Sequence, residues 1–168
     1  MQTNNNDYYL THNDNKEHSK YGSIFIDYNS SIKDRNSNVI IYGHNRKDTQ
    51  MFGSLMNYES KKFYDLHPTI TIATDESISE YQIMYVFKSR VFYSNETNVF
   101  RYYQYHYFND KIKYDEYLNH CKLMELYDTE IRAECREQII TLITCEYSQD
   151  NGRMVIVAKR INFFKNFV

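Results

Sequence analysis

The run Q-I-I-T-L-I-T-C (Gln138 to Cys145), the polar turn Ser148 to Gly152 and the run R-M-V-I-V-A-K-R-I (Arg153 to Ile161) together decide how this chain folds. Both runs are short, rich in Ile, Val and Thr, and bounded by turn residues, which predicts two strands. With so short a connection they pair antiparallel. Cys145, ending the first strand, then faces Arg153, opening the second, within side-chain reach.

Outward from this hairpin, Lys113 to Leu126 carries Tyr114, Tyr117, Leu118, Cys121, Leu123, Met124 and Leu126 at helical spacing. Further strands are predicted over Ser23 to Asp27, Asn38 to Tyr42, Thr69 to Ala73 and Tyr81 to Tyr93, with a loop from Tyr28 to Ser37. Met51 to Tyr58 is spaced close to helical, Lys61 to Leu66 continues as a second short helix, and Pro68 ends it. The first twenty residues read as a loop or short turn docked by Tyr8, Tyr9 and Leu10. Many short strands with inserted helices give a mostly β, α+β domain or mixed barrel rather than alternating βαβ units.

Length and composition remove whole function classes. The 168 residues suit a single domain. Only four glycines occur (Gly22, Gly43, Gly53, Gly152), so neither a dinucleotide-binding G-x-G-x-x-G turn nor a Walker-type phosphate loop can be written. A formal net charge of -2 gives no electrostatic footprint for nucleic acid. Three widely spaced cysteines (Cys121, Cys135, Cys145) supply neither a disulfide framework nor a C-x-x-C metal site. The apolar runs Ile139 to Ile143 and Met154 to Ala158 fall far below the roughly 18 residues of a membrane span. Met1 is followed by polar residues, so no leader is read. Either the protein is cytosolic, or an anchor and upstream residues have been removed.

A thiolate is a strong nucleophile, and a fixed cation stabilises both it and the oxyanion formed on attack at a carbonyl. Cys145 with Arg153 beside it fits that description. A general acid is still needed, and His44, in Y-G-H-N just past the strand Asn38 to Tyr42, is the best candidate. Residue type alone favours plain roles: Cys121 in the core, Cys135 at a segment edge, and His12, His18, His67, His106 and His120 outside any chemistry. The cluster Tyr102, Tyr103, Tyr105 and Tyr107 serves equally well as a ligand wall or as packing.

Five segments add a resemblance: D-Y-Y-L-T-H-N (Asp7 to Asn13), G-S-I-F-I-D-Y (Gly22 to Tyr28), N-V-I-I-Y-G-H-N (Asn38 to Asn45) with M-F-G-S-L (Met51 to Leu55), T-L-I-T-C-E-Y (Thr141 to Tyr147) and G-R-M-V-I-V-A-K-R (Gly152 to Arg160). In this order the chain resembles a class B sortase of a Gram-positive, clostridial-like bacterium. The resemblance implies an eight-stranded β-barrel, here without its N-terminal helical part and first strand. It also implies a cysteine transpeptidase with His44, Cys145 and Arg153 as active-site residues. Asn6, Leu10 and Glu146 fall on groove positions of the family; Ile143, Thr144, Tyr102 and Tyr103 complete the candidate substrate-binding set. Ile143 stands where many class B members have Ser, so a hydroxyl contact to substrate is missing.

The implied reaction cleaves a sorting motif of the N-P-x-T-N or P-x-T-G kind after Thr and joins the product to an amine of a cell-wall peptide or its lipid-linked precursor. It requires no metal or organic cofactor and involves no nucleic acid. The implied location is the outer face of the cell membrane, reached through an anchor absent from this chain. Two other readings compete: a cysteine peptidase that only hydrolyses, and a non-catalytic sortase-like binding module.

Overall fold

The computed structural model describes residues 1–32 and 38–165. The predicted loop Tyr28 to Ser37 lies in part outside them. The strands are β1 (Phe25–Ile26), β2 (Asn38–Tyr42), β3 (Thr69–Ala73), β4 (Ser77–Arg90), β5 (Ile139–Cys145) and β6 (Gly152–Lys165). Among the described residues these six form one curled mixed sheet, a half-barrel, in the order β1-β2-β5-β6-β4-β3. All neighbouring pairs are antiparallel except β2 and β5, which run parallel from Asn38↔Ile139 to Tyr42↔Ile143. That one parallel pair brings the C-terminal ends of β2 and β5 side by side.

The two faces of the sheet follow from period-two alternation. Val39 and Ile41, Ile140 and Leu142, and Met154, Ile156 and Ala158 share one core with Phe52, Leu55, Tyr58 and Tyr64. Ile40, Ile139 and Ile143, with Val155 and Val157, point the other way into a second core with Tyr102, Phe108, Tyr114, Tyr117, Leu118 and Cys121. The second core lies under helix α2 (Lys111–Met124), whose buried residues Tyr114, Tyr117, Leu118 and Cys121 form a stripe at i, i+3, i+4 and i+7. Asp110 caps that helix by accepting the Lys113 N–H at 2.9 Å, which is why it starts two residues before the apolar pattern does. Because β5 is buried on both faces, its sequence is an unbroken apolar run in which Thr141 is tolerated only with partners. Its hydroxyl donates to Asn38 Oδ1 at 2.8 Å and meets the Tyr117 hydroxyl at 2.7 Å.

Element boundaries depart from the sequence pattern where tertiary contacts decide them. β1 shrinks to Phe25–Ile26 because only these residues pair with β2. β4 starts at Ser77, before the apolar run, because Ser77 to Glu80 find partners in Asn162 to Lys165 of an equally extended β6. A bulge between Ile83 and Tyr85 turns both Met84 and Tyr85 toward the second core. The Met84 carbonyl accepts from the Thr129 hydroxyl at 2.7 Å. Gly53–Glu59 forms 3-10 turns in place of a regular helix, followed by the short helix α1 (Lys61–Leu66) that stops before Pro68. An unforeseen 3-10 turn at Tyr102–Gln104 holds Tyr102 beneath α2.

The first residues dock onto this frame through Tyr9, which is buried with its ring tilted 33° against Phe25 at 6.2 Å. Ser23 N–H donates to Tyr9 O at 2.9 Å. Gly22 permits that approach: its φ is +53°, and a Cβ there would sit 2.4 Å from Tyr9 O.

Candidate active site

Three adjacent strands end at one rim of the sheet, and period two puts Tyr42, Ile143, Cys145 and Arg153 on the face that carries α2. Cys145 and Arg153 are direct cross-strand partners, the last pair of the β5–β6 ladder. A cavity of 330 Å³ opens there, lined by Asn6, Asp7, Leu10, Phe25, Tyr42, Val91, Tyr102, Tyr103, Ile143, Thr144, Cys145 and Arg153.

Arg153 is anchored by its own turn. Nη1 donates to the Gly152 and Asn151 carbonyls at 2.8 and 3.2 Å, while Nε and Nη2 make no hydrogen bond among the described residues. Donors on the other side of the guanidinium therefore remain for an anionic group. The turn itself is held by Glu146. This carboxylate accepts from Ser148 N–H at 2.9 Å and Ser148 Oγ at 2.7 Å, with Lys88 Nζ at 3.4 Å. Burial opposes its charge, yet the Ser148 contacts and Lys88 hold its pKa below the usual value.

His44 follows β2 and is linked to the cavity through its neighbours. Its Nε2 lies 2.9 Å from the Leu10 carbonyl, and since a carbonyl only accepts, Nε2 carries the proton. Nδ1 makes no hydrogen bond among the described residues. Around it, the Thr144 hydroxyl donates to Gly43 O at 2.8 Å and Asn45 Nδ2 donates to Cys145 O at 2.8 Å. Gly43 is required by space, because a Cβ would lie 2.7 Å from the Phe52 ring.

Of the residues singled out in the sequence, Cys145, Arg153, Asn6, Leu10, Ile143, Thr144, Tyr102 and Tyr103 line this one cavity. His44 adjoins it through Leu10 O, whereas Glu146 is turned under the 146–152 turn. Ile143 and Thr144 are both buried, Ile143 within the second core. Tyr102 is fully buried, and its hydroxyl has no hydrogen-bond partner among the described residues. Burial pushes its pKa up, against the pull of Arg153. The Tyr103 hydroxyl instead accepts from Phe92 N–H at 3.1 Å.

Among the contributors that escaped the sequence reading are Tyr42 and Asn45. Tyr42 lines the cavity and donates to Asp27 Oδ2 at 3.1 Å; burial and then Asp27 push its pKa far up, so it stays a neutral phenol. Its signal was its position, two residues before His44 and in phase with the buried Ile40. Asn45 was read only as part of a motif, although it is the residue that holds the Cys145 carbonyl.

The Sortase domain family matches residues 2–161. A curated relative, sortase B of Listeria monocytogenes, is 35% identical over 164 residues, 96% of this chain and 63% of its own length. This chain thus spans just under two-thirds of that relative. Among solved structures, the Staphylococcus aureus sortase B–substrate complex superposes with a TM-score of 0.83 at 29% identity, over 96% of this chain and 72% of that one. Clostridium perfringens sortase B superposes with a TM-score of 0.83 at 32% identity, over 96% and 85%.

Proposed function

The chain belongs to the sortase family, and from that premise we propose that it is a class B cysteine transpeptidase acting through a thioacyl enzyme at Cys145. The observation that carries the reading is the cross-strand pair Cys145↔Arg153 at the mouth of a cavity with polar and aromatic walls. A thiolate and a permanently charged guanidinium, side by side, suit attack on a peptide carbonyl.

In the first half-reaction the Cys145 sulfur attacks the Thr carbonyl carbon of a sorting motif, of the N-P-x-T-N or P-x-T-G kind. The free N–H groups of Arg153 receive the oxyanion. As the carbon–nitrogen bond breaks, His44 gives its proton to the departing amine, leaving a thioester and a neutral imidazole. In the second half, an amine of a cell-wall peptide or its lipid-linked precursor attacks the thioester and yields its proton to His44, and the Cys145 thiolate departs. The existence of a Staphylococcus aureus sortase B–substrate complex of similar fold supports a substrate-binding reading of this site. Tyr102, with its unpartnered hydroxyl, and Asn6, Leu10, Ile143, Thr144 and Tyr103 would form the walls against the substrate. Glu146 would act from beneath, by shaping the turn that presents Arg153.

No helix among the described residues is long and apolar enough to cross a membrane. The proposed place of action, the outer face of the cell membrane, follows from the family.

The test is incubation with fluorogenic peptides of both motif kinds, with and without an added oligoglycine amine, followed by mass analysis of products. Amide-linked product from wild type and none from Cys145→Ala is expected. Hydrolysis product alone, unchanged by amine, would make the protein a peptidase; cleavage by Cys145→Ala would remove Cys145 from the chemistry.

A further inference from the structure

Asp27 follows β1 and is only 2% exposed. Its carboxylate is the meeting point of two cavity walls that come from distant parts of the chain. Oδ2 accepts from Asn6 Nδ2 at 2.7 Å and from the Tyr42 hydroxyl at 3.1 Å. Oδ1 accepts from the Asn29 N–H at 2.8 Å and has His106 Nδ1 at 3.6 Å. Asn6 and Tyr42 both line the cavity that holds Cys145 and Arg153; Asp27 does not.

Counting donors and acceptors shows what this does to the walls. Asn6 gives one amide N–H to Asp27, and its Oδ1 takes the Tyr28 N–H at 3.0 Å, which fixes the orientation of the amide and leaves one N–H unused. Tyr42 spends its hydroxyl proton on Asp27, so its oxygen retains only acceptor capacity. Asn6 thus retains one donor and Tyr42 one acceptor. A peptide unit offers the complementary pair, a C=O and an N–H.

We infer that Asp27 is a positioning residue of the acyl-transfer site: it holds Asn6 as a donor and Tyr42 as an acceptor so that they grip the backbone of an extended peptide beside Cys145. The inference rests on the acyl-transfer reading above and concerns how the substrate is held. Asp27→Asn keeps the shape but leaves one acceptor oxygen for three donors: turned toward Asn6 and Tyr42 it sets its NH2 against the Asn29 N–H, and turned toward Asn29 it sets its NH2 against the Asn6 amide and the Tyr42 hydroxyl proton. It cannot be rescued by turning the Asn6 amide over, because Asn6 would then set its NH2 against the Tyr28 N–H.

Binding is measured in the Cys145→Ala background, which cannot react, by anisotropy of fluorescein-labelled peptides ending in N-P-x-T-N or P-x-T-G. Asp27→Asn is expected to weaken the Kd about tenfold, as for loss of a hydrogen bond to a charged group. In the reactive protein it is expected to raise KM by a similar factor with kcat within about threefold. Asn6→Ala combined with Asp27→Asn is expected to add little to either alone, since one acts through the other. Should Asp27→Asn not fold, Tyr42→Phe carries the test: it removes one gripped group, leaves Asp27 its Asn6 and Asn29 partners, and is expected to raise Kd several-fold. A Kd within twofold of the parent for the folded variant, or full additivity with Asn6→Ala, overturns the inference. A parent that binds neither peptide also overturns it, and, with an unreactive wild type, locates the failure in the acyl-transfer reading itself.

Discussion

The side-chain amide of Asn45 donates to the main-chain carbonyl of Cys145 at 2.8 Å, joining the residue after His44 to the end of β5 across 100 positions of sequence. With the Thr144 hydroxyl on Gly43 O, it fastens the loop carrying His44 to the strand carrying Cys145. Both bonds follow from the parallel pairing of β2 and β5, which aligns their C-terminal ends.

Asn45→Ala removes that fastening and leaves a carbonyl unpaired. Loss of about 1 kcal/mol is expected, a fall in Tm of roughly 2 to 4 °C. The kinetic effect is expected in kcat, down by about tenfold or more with KM nearly unchanged, because spacing of acid and nucleophile is disturbed rather than substrate contact. Thermal melts and steady-state kinetics on one preparation check both.

Arg153→Lys keeps the charge and loses the planar fork. Lys cannot bond the Gly152 and Asn151 carbonyls through one nitrogen while keeping further donors on a second. Its kcat is expected to drop by about 100-fold, close to that of Arg153→Ala, with little change in Tm. Recovery of most of the activity by Lys would show that charge alone is needed.

Glu146 gives a pH dependence of stability with a definite sign. Its pKa is lowered in the folded protein, so the stabilisation is complete above the unfolded value near 4.5 and fades as pH falls through the lower folded value. Wild type is expected to lose stability below about pH 4.5 more steeply than Glu146→Gln, which has already lost the contribution at neutral pH. Denaturant melts from pH 7 to pH 3 on both proteins check this; parallel curves would show that Glu146 does not grip the turn.

Two of the three thiols, Cys121 and Cys145, are expected to separate by alkylation. Cys121 is fully buried on α2, and burial pushes its pKa far up, so it should resist iodoacetamide until the protein unfolds. Cys145, half-buried at the cavity, should label in the folded state, and a bound peptide should slow it. Peptide mapping after short labelling measures the order.

The legible parts of this structure were those encoded by local periodicity. The β5–β6 hairpin could be read because it is buried on both faces and its turn is polar, and that alone placed Cys145 opposite Arg153. The apolar stripe of α2 was equally plain. What the sequence hid were relations between distant residues. Nothing local says that the His44 ring meets the Leu10 carbonyl, 34 residues away, or that Ser77 to Glu80 pair with the end of β6. Tyr42 reads as one more strand aromatic until Asp27 and the cavity stand on either side of it. Glu146, adjacent to Cys145 in sequence, points elsewhere because Ser148 and Lys88 hold it.

The central claim, that Cys145 carries the acyl group, is tested most directly by intact-protein mass spectrometry after rapid acid quench with a sorting-motif peptide and no added amine. A mass increase equal to the peptide through its Thr, mapped to Cys145, lost on adding oligoglycine and absent from Cys145→Ala, is the predicted result. Peptide cleavage without any adduct on Cys145, or the same adduct forming in Cys145→Ala, would contradict it.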